Sequence, residues 1–173
     1  MGNNTSNLVL IDKKSASNSA TISFTTGISA TYKTFFLSIT KYLPATNGQS
    51  LLMKFSTNGG STYIAANYQS GISWIPYNSG TGTWSAASNT AAIYLILSAD
   101  NSGQTSSGTY WLQDLSTGAT PKVTGTASSY SGGLITYTNL TAINTANTTI
   151  NAFQLLSQSG NISTGEFALY GLL

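Results

Sequence analysis

The stretch that decides the fold class runs from Thr34 to Thr40 and reads TFFLSIT. Its apolar residues Phe35, Leu37 and Ile39 alternate with positions that are mostly polar. A period of two places successive side chains on opposite faces of a β-strand. The pattern therefore predicts a half-buried strand whose odd-numbered side chains face a core.

The same alternation continues on both sides of this stretch. It is found in Thr21–Thr25 and in Leu51–Ser56, and the segment NGGS at Asn58–Ser61 then predicts a hairpin turn, because glycine accepts positive φ. Further predicted strands are Leu8–Ile11, Ile72–Ile75, Ala91–Leu97, Thr109–Leu115, Lys122–Ala127, Leu134–Thr138, Ile150–Ser157 and Gly165–Leu172. This spacing is typical of an all-β fold, either an antiparallel β-sandwich or a barrel.

Helical periodicity is nearly absent, and a short turn near Asn139–Thr148 is the only helix candidate. No shift in composition and no proline-rich linker divides the chain. We therefore predict that residues 1–173 form one β-sandwich domain with a short N-terminal attachment segment.

The chain lacks the side chains that most enzymes need. Its 173 residues include six Lys and four carboxylates but no His, Cys or Arg. Nucleophilic triads need an imidazole base, and zinc sites need imidazole or thiolate ligands. We predict a protein without enzymatic activity, cofactor or metal. The scattered lysines also predict no binding of nucleic acid, which requires a basic cluster.

Two features suggest where the protein works and how it assembles. Residues 1–6 lack the basic and apolar segments of a signal peptide, and no apolar run approaches the roughly 20 residues of a membrane span. We therefore expect synthesis in a cytoplasm and no membrane insertion. Few lysines or prolines are present to protect exposed sheet edges, which favours an oligomer that covers them.

Both ends of the chain resemble a known group of proteins. The segments that carry the resemblance are Ala20–Ile28, Thr31–Lys33, Pro44–Asn47, Phe55–Tyr63 and the closing run Gly160–Leu172. They resemble tailed-bacteriophage virion proteins of the tail-fibre tip, head-fibre and decoration type. The resemblance implies a jelly-roll-like β-sandwich, a homotrimer without enzymatic activity, and attachment to capsid or tail proteins. It covers about the first 65 and last 25 residues, and the segment 64–149 lies outside it.

Candidate binding residues lie in that middle segment. Trp74, Tyr77 and Trp84 place three aromatic rings in and around one Gly- and Ser-rich loop. A ring offers an apolar face to the C–H groups of a sugar, while amides and hydroxyls bind its hydroxyl groups. We predict a glycan-binding surface at these residues. The alternative is that Trp74, like Trp111, lies in a strand and fills the core or a subunit interface.

These observations leave three hypotheses for function. The first is a non-enzymatic virion protein, made in the host cytoplasm, that forms a trimeric fibre, spike or decoration module, with host surface polysaccharide as its candidate ligand. The second is a carbohydrate-binding module or lectin that is not attached to a virion. The third is a small glycoside hydrolase using Asp100 and Asp114, although the turn sequence DNSG at Asp100–Gly103 favours a structural role for the first carboxylate.

Overall fold

Residues 7–78 and 80–173 are described in a computed structural model and form twelve β-strands. The predicted N-terminal attachment segment lies largely outside the described residues. The strands are β1 (Leu8–Ser19), β2 (Thr21–Phe24), β3 (Thr34–Pro44), β4 (Gln49–Ser56), β5 (Tyr68–Pro76), β6 (Thr83–Thr90), β7 (Ile93–Ala99), β8 (Ser106–Gln113), β9 (Lys122–Ser131), β10 (Leu134–Asn144), β11 (Ala152–Ser157) and β12 (Ile162–Leu172).

The strands form two antiparallel sheets, which confirms the predicted all-β sandwich. The large sheet has the order β1-β12-β3-β8-β9-β10-β5-β6, and the small sheet has the order β2-β11-β4-β7. The four strands β1-β12-β3-β8 and the four strands of the small sheet together have the strand order of a jelly roll. Two inserted hairpins, β5–β6 and β9–β10, lengthen the large sheet by four strands.

The core lies between the two sheets and is made by the alternating residues that the sequence indicated. Phe35, Leu37 and Ile39 of β3 are almost completely buried, while Phe36 faces the opposite side of the sheet. On the core side of the small sheet, the rings of the paired residues Phe24 and Phe153 on β2 and β11 stack with their centroids 5.0 Å apart. Such ring pairs stabilise a core beyond the apolar area they bury.

Buried tyrosines bind backbone groups across the core. The Tyr110 hydroxyl on β8 donates to the carbonyl oxygen of Leu95 on β7, at 2.5 Å, and so links the two sheets. The Tyr68 hydroxyl accepts from the N–H of Phe55, at 2.7 Å, and so links β5 to β4. Each hydroxyl satisfies a backbone group that would otherwise be buried without a partner, which is costly.

Two local predictions were wrong. The segment 139–148 contains no helix in the described structure, because β10 continues to Asn144 and pairs with β5 and β9. The turn at Asn58–Ser61 exists, with positive φ at Gly59 and Gly60, but it does not make a hairpin. Instead the chain crosses to the large sheet, where β5 begins. Side chains close this turn: Ser56 Oγ accepts from Gly60 N at 3.0 Å.

Candidate functional site

Charge is distributed unevenly along the large sheet. No charged residue occurs between Lys54 and Asp100, or between Lys122 and Glu166, so the inserted strands β5, β6 and β10 are uncharged. The opposite end of the sheet carries ion pairs on β1, β3 and β12. There Glu166 lies 2.7 Å from Lys41 and 3.4 Å from Lys13. The sheet therefore has a charged end and a neutral end.

The ionic cluster at the charged end is exposed. The hydrogen bonds from Lys41 and Lys13 lower the pKa of the Glu166 carboxyl, and Glu166 in turn raises the pKa of Lys41. Because all three groups meet water, the pairs contribute little to stability. Lys13, with Asp12 and Lys14, also makes the edge strand β1 charged. Charged residues on an edge discourage its pairing with a strand of another molecule.

The predicted trio of rings is divided between the two faces of the β5–β6 hairpin. Trp74 pairs with Thr83, and Ser73 pairs with Trp84. Paired residues share a face and successive residues alternate, so the two indoles point to opposite sides of the sheet. Trp74 packs against the core from the inner side, Trp84 is 70% exposed on the outer face, and Tyr77 is 84% exposed in the turn beyond β5.

On the outer face, Trp84 lies between two shallow depressions of about 440 Å³ and about 210 Å³. Gly71 on the neighbouring strand lies beside the indole, and a Cβ there would make ordinary van der Waals contact with Trp84 Nε1, at 3.9 Å. Thr141 lines both depressions, and Asn139 lines the smaller one. A flat ring beside a hydroxyl and an amide is an arrangement that suits a sugar.

Other apolar side chains extend this outer surface toward the hairpin turns. Ile75 of β5 and Ile135 and Tyr137 of β10 are exposed, and the Tyr137 hydroxyl donates to Asn139 Oδ1 at 3.1 Å. Sequence reasoning missed these residues. The signal that could have identified Ile135 and Tyr137 is their spacing of two residues, which places both on the same face of β10. We call this surface, formed by Trp84, Ile75, Ile135, Tyr137 and Asn139, the outer neutral face. Tyr77 borders it, because its backbone N–H donates to the Ile135 carbonyl oxygen at 2.9 Å.

The inner side of the same hairpin borders a cleft of about 600 Å³. One wall is the inner face of β5 and β6 with Ile72, Trp74 and Ser85, and the other is β7 with Tyr94 and Leu97. The cleft exists because the inserted strands extend past β7, the last strand of the small sheet. Trp74 therefore belongs to this cleft and not to the surface around Trp84.

Trp111 has a third environment. It lies on the outer face of β8, 41% exposed, and therefore does not fill the core. Its ring contacts Phe36, with centroids 4.9 Å apart, and Phe36 in turn contacts Tyr170 at 6.1 Å. This aromatic row runs across β8, β3 and β12, away from the β5–β6 hairpin.

The two carboxylates considered for glycoside hydrolysis lie at opposite ends of β8. Asp100 precedes the strand and Asp114 follows it, so the length of the strand, about 25 Å, separates them. Paired glycosidase carboxylates lie within about 10 Å of each other. Asp114 is instead paired with Lys122 at 2.5 Å. Within the described residues, no three acidic, His or Cys side chains are grouped to hold a metal.

No protein-family model matches the chain, and no curated protein matches it significantly. Within residues 7–78 and 80–173, no helix is long and apolar enough to cross a membrane.

Proposed function

We propose that the protein is a non-enzymatic surface module of a tailed-phage virion that binds neutral polysaccharide on the outer neutral face. The observation that carries the proposal is the combination of an exposed Trp84, its flanking depressions and a complete absence of charge on β5, β6 and β10. The hydroxyl groups of a neutral polymer can exchange water for hydrogen bonds with such a surface, whereas a charged polymer would be desolvated without a counterion.

The arrangement of the fold supports the virion part of the proposal. The segments that resemble phage virion proteins contain β2 and β12, the residues on either side of β3, and the end of β4 with the turn that follows it, all within the jelly-roll framework. Segment 64–149 contains the two inserted hairpins. A shared framework with specific inserted strands is how one fold acquires different ligands, because function resides in sites added to a scaffold. Jelly rolls serve as both viral capsid and lectin domains, so a lectin outside a virion is the alternative.

Mass spectrometry of purified virions distinguishes these two possibilities. The protein should be present in stoichiometric amounts in particles purified away from lysate proteins, because a structural module stays attached to its capsid or tail partner. A protein found only in the soluble fraction would refute the virion proposal and leave the lectin.

Binding is tested by replacing Tyr77 and Trp84 together with Ala. Each lost ring contact should remove about 1 kcal/mol, so one binding site should lose about 30-fold in affinity, and several sites acting together should lose adsorption altogether. Adsorption of virions to host cells measures this. The matched control is Val9→Ala, which removes part of an exposed apolar side chain at the opposite edge of the sheet. Normal adsorption of the double variant would exclude the outer neutral face.

We also propose that the protein forms a homotrimer. The edge strand β6 contains neither charge nor proline, and such an edge is protected when another subunit covers it. Because the covered β6 edge is uncharged, the mass measured by light scattering should stay that of a trimer from roughly 0.05 to 1 M salt. A monomer at micromolar concentration, or dissociation at high salt, would contradict this.

A further inference from the structure

The cleft behind the β5–β6 hairpin has a local geometry that is costly to maintain. Ser98 on β7 has a φ of 45°, a left-handed conformation that serine rarely adopts. The pairing of β4 with β7 shifts register at this point, between Gln49 and Leu51, as in a β-bulge. The Ser98 N–H donates to Ser50 Oγ at 3.1 Å, and both residues line the cleft. Bulges and strained residues cluster at binding sites, where they redirect side chains.

The lining of the cleft defines what it can hold. None of the described residues that line it is Asp, Glu or Lys, so a charged ligand would be buried without a partner. Eight of its fourteen described lining side chains carry hydroxyl or amide groups, among them Ser85, Thr136 and Gln158. The other six are apolar and include Ile72, Trp74 and Leu97. Its volume of about 600 Å³ is in the range of small-molecule sites.

We propose that this cleft is a second binding site, which takes one neutral sugar residue that carries an apolar substituent, such as an N-acetyl or a 6-deoxy sugar. The ring of Trp74 provides a flat surface for the C–H face of the sugar, and the hydroxyl and amide groups bind its hydroxyls. A methyl group on the sugar fits the aliphatic part of the lining, where an additional hydroxyl would lose hydration. The site is on the opposite side of the hairpin from the outer neutral face and does not depend on it.

Three tryptophans report on three separate regions, which makes the test direct. The indole N–H signals of Trp74, Trp84 and Trp111 can be followed by two-dimensional NMR of the whole protein during titration with methyl glycosides. The probes are the methyl glycosides of N-acetylglucosamine, rhamnose and glucose. We expect the Trp74 signal to move with the first two, at least tenfold less with methyl glucoside, and the Trp111 signal to move with none.

Substitutions at two adjacent residues provide a blocking variant and its matched control. Ser85 lines the cleft and Ala86 lines the larger outer depression, on opposite faces of the same exposed strand. Ser85→Trp should fill the cleft and abolish the Trp74 response, whereas Ala86→Trp should leave it intact. Ser131→Trp fills the cleft from the β9 side and provides a second blocking variant if Ser85→Trp fails to fold.

Every outcome of this titration decides the proposal. A Trp74 signal that moves with none of the three sugars, a response that persists in the blocked variants, or a response of equal size for all three sugars overturns it. A response of Trp84 without Trp74 overturns the cleft alone and leaves the outer neutral face supported. Loss of the Trp74 response in Ser85→Trp, with retention in Ala86→Trp, supports the cleft whether or not Trp84 responds.

Discussion

The free energy of unfolding should fall steeply above pH 10, and the protein should unfold near pH 12. Three of its ten tyrosines, Tyr42, Tyr68 and Tyr110, are completely buried. Burial raises the pKa of Tyr42 and of Tyr68 to about 12 and raises that of Tyr110 further. In the unfolded chain each phenol titrates near pH 10. Alkaline conditions therefore favour the unfolded state, in which these groups can ionise.

The sign and size of this effect follow from linkage. A group whose pKa is higher in the folded protein stabilises it fully below the unfolded pKa, and this stabilisation is lost as pH rises through the folded pKa. For a pKa raised by about two units, the loss at pH 12 is roughly 2 kcal/mol per tyrosine. Tyr42 and Tyr68 together lose about 4 kcal/mol and Tyr110 adds to this, against a total stability of about 5–15 kcal/mol for ordinary domains.

Urea unfolding curves at several pH values, with tyrosinate absorbance recorded in parallel, measure this loss. Tyr42→Phe is the most informative variant, because its hydroxyl donates only a long hydrogen bond, 3.5 Å, to a backbone group, the carbonyl oxygen of Gln49, and otherwise bonds the Ser157 side chain. It should cost little at neutral pH and reduce the loss at pH 12 by about 2 kcal/mol. The exposed Tyr77→Phe should leave the profile unchanged. Equal slopes for all three proteins above pH 10 would contradict this origin of the alkaline transition.

Acidification should have a much smaller effect than alkali. The chain has four side-chain carboxyls and no histidine, so few groups can take up protons below neutrality. Glu166 has a lowered pKa, and the stabilisation that it gives is present above its unfolded pKa and is lost as pH falls. Because Glu166 and its lysine partners are exposed, that loss is small. The pH profile should therefore be asymmetric.

The alternation of residues was enough to predict most of the framework but not its inserted edge. Segments such as Thr34–Thr40 have one buried face, so their apolar period is visible in the sequence. β6 has no such period, since TWSAASNT is exposed along nearly its whole length and forms a strand only by pairing with β5. β10 was predicted to end at Thr138, yet its buried residues Leu140 and Ala142 continue the alternation as far as Asn144.

The division of the aromatic trio could not be predicted because it depends on register. Trp74 and Trp84 are close in sequence, but the length of the turn between them decides which residues pair. A shift of one residue would pair the two tryptophans directly and place both on one face. The observed register places Thr83 opposite Trp74 and so creates two separate surfaces. The sequence indicates that this segment contains side chains suited to binding. It does not indicate that these side chains lie on opposite faces of the hairpin.

Gly125→Ala should destabilise the protein more than the same substitution at any other glycine in a strand of the described structure. Gly125 on β9 pairs with Tyr110 on β8, and a Cβ at this position would overlap the Thr109 carbonyl oxygen and the Tyr110 ring. Tyr110 cannot move away, because its hydroxyl is bonded to Leu95 on the other sheet and its ring also covers Gly108. We expect a loss of about 3 kcal/mol, the upper end for overpacking, because a backbone atom is involved.

Gly71→Ala is the matched control for this substitution. Gly71 also lies in a strand of the large sheet, but its Cβ would face the outer side, with the nearest side-chain atom 3.9 Å away. Alanine there reduces the entropy of the unfolded chain and should be neutral or stabilise the fold by up to about 1 kcal/mol. Thermal unfolding should therefore separate the two variants by roughly 6–16 °C, since their stabilities differ by about 3–4 kcal/mol and each kcal/mol shifts the midpoint of a domain this size by about 2–4 °C. Similar midpoints would mean that β8 and β9 are not held together as closely as the buried Tyr110 requires.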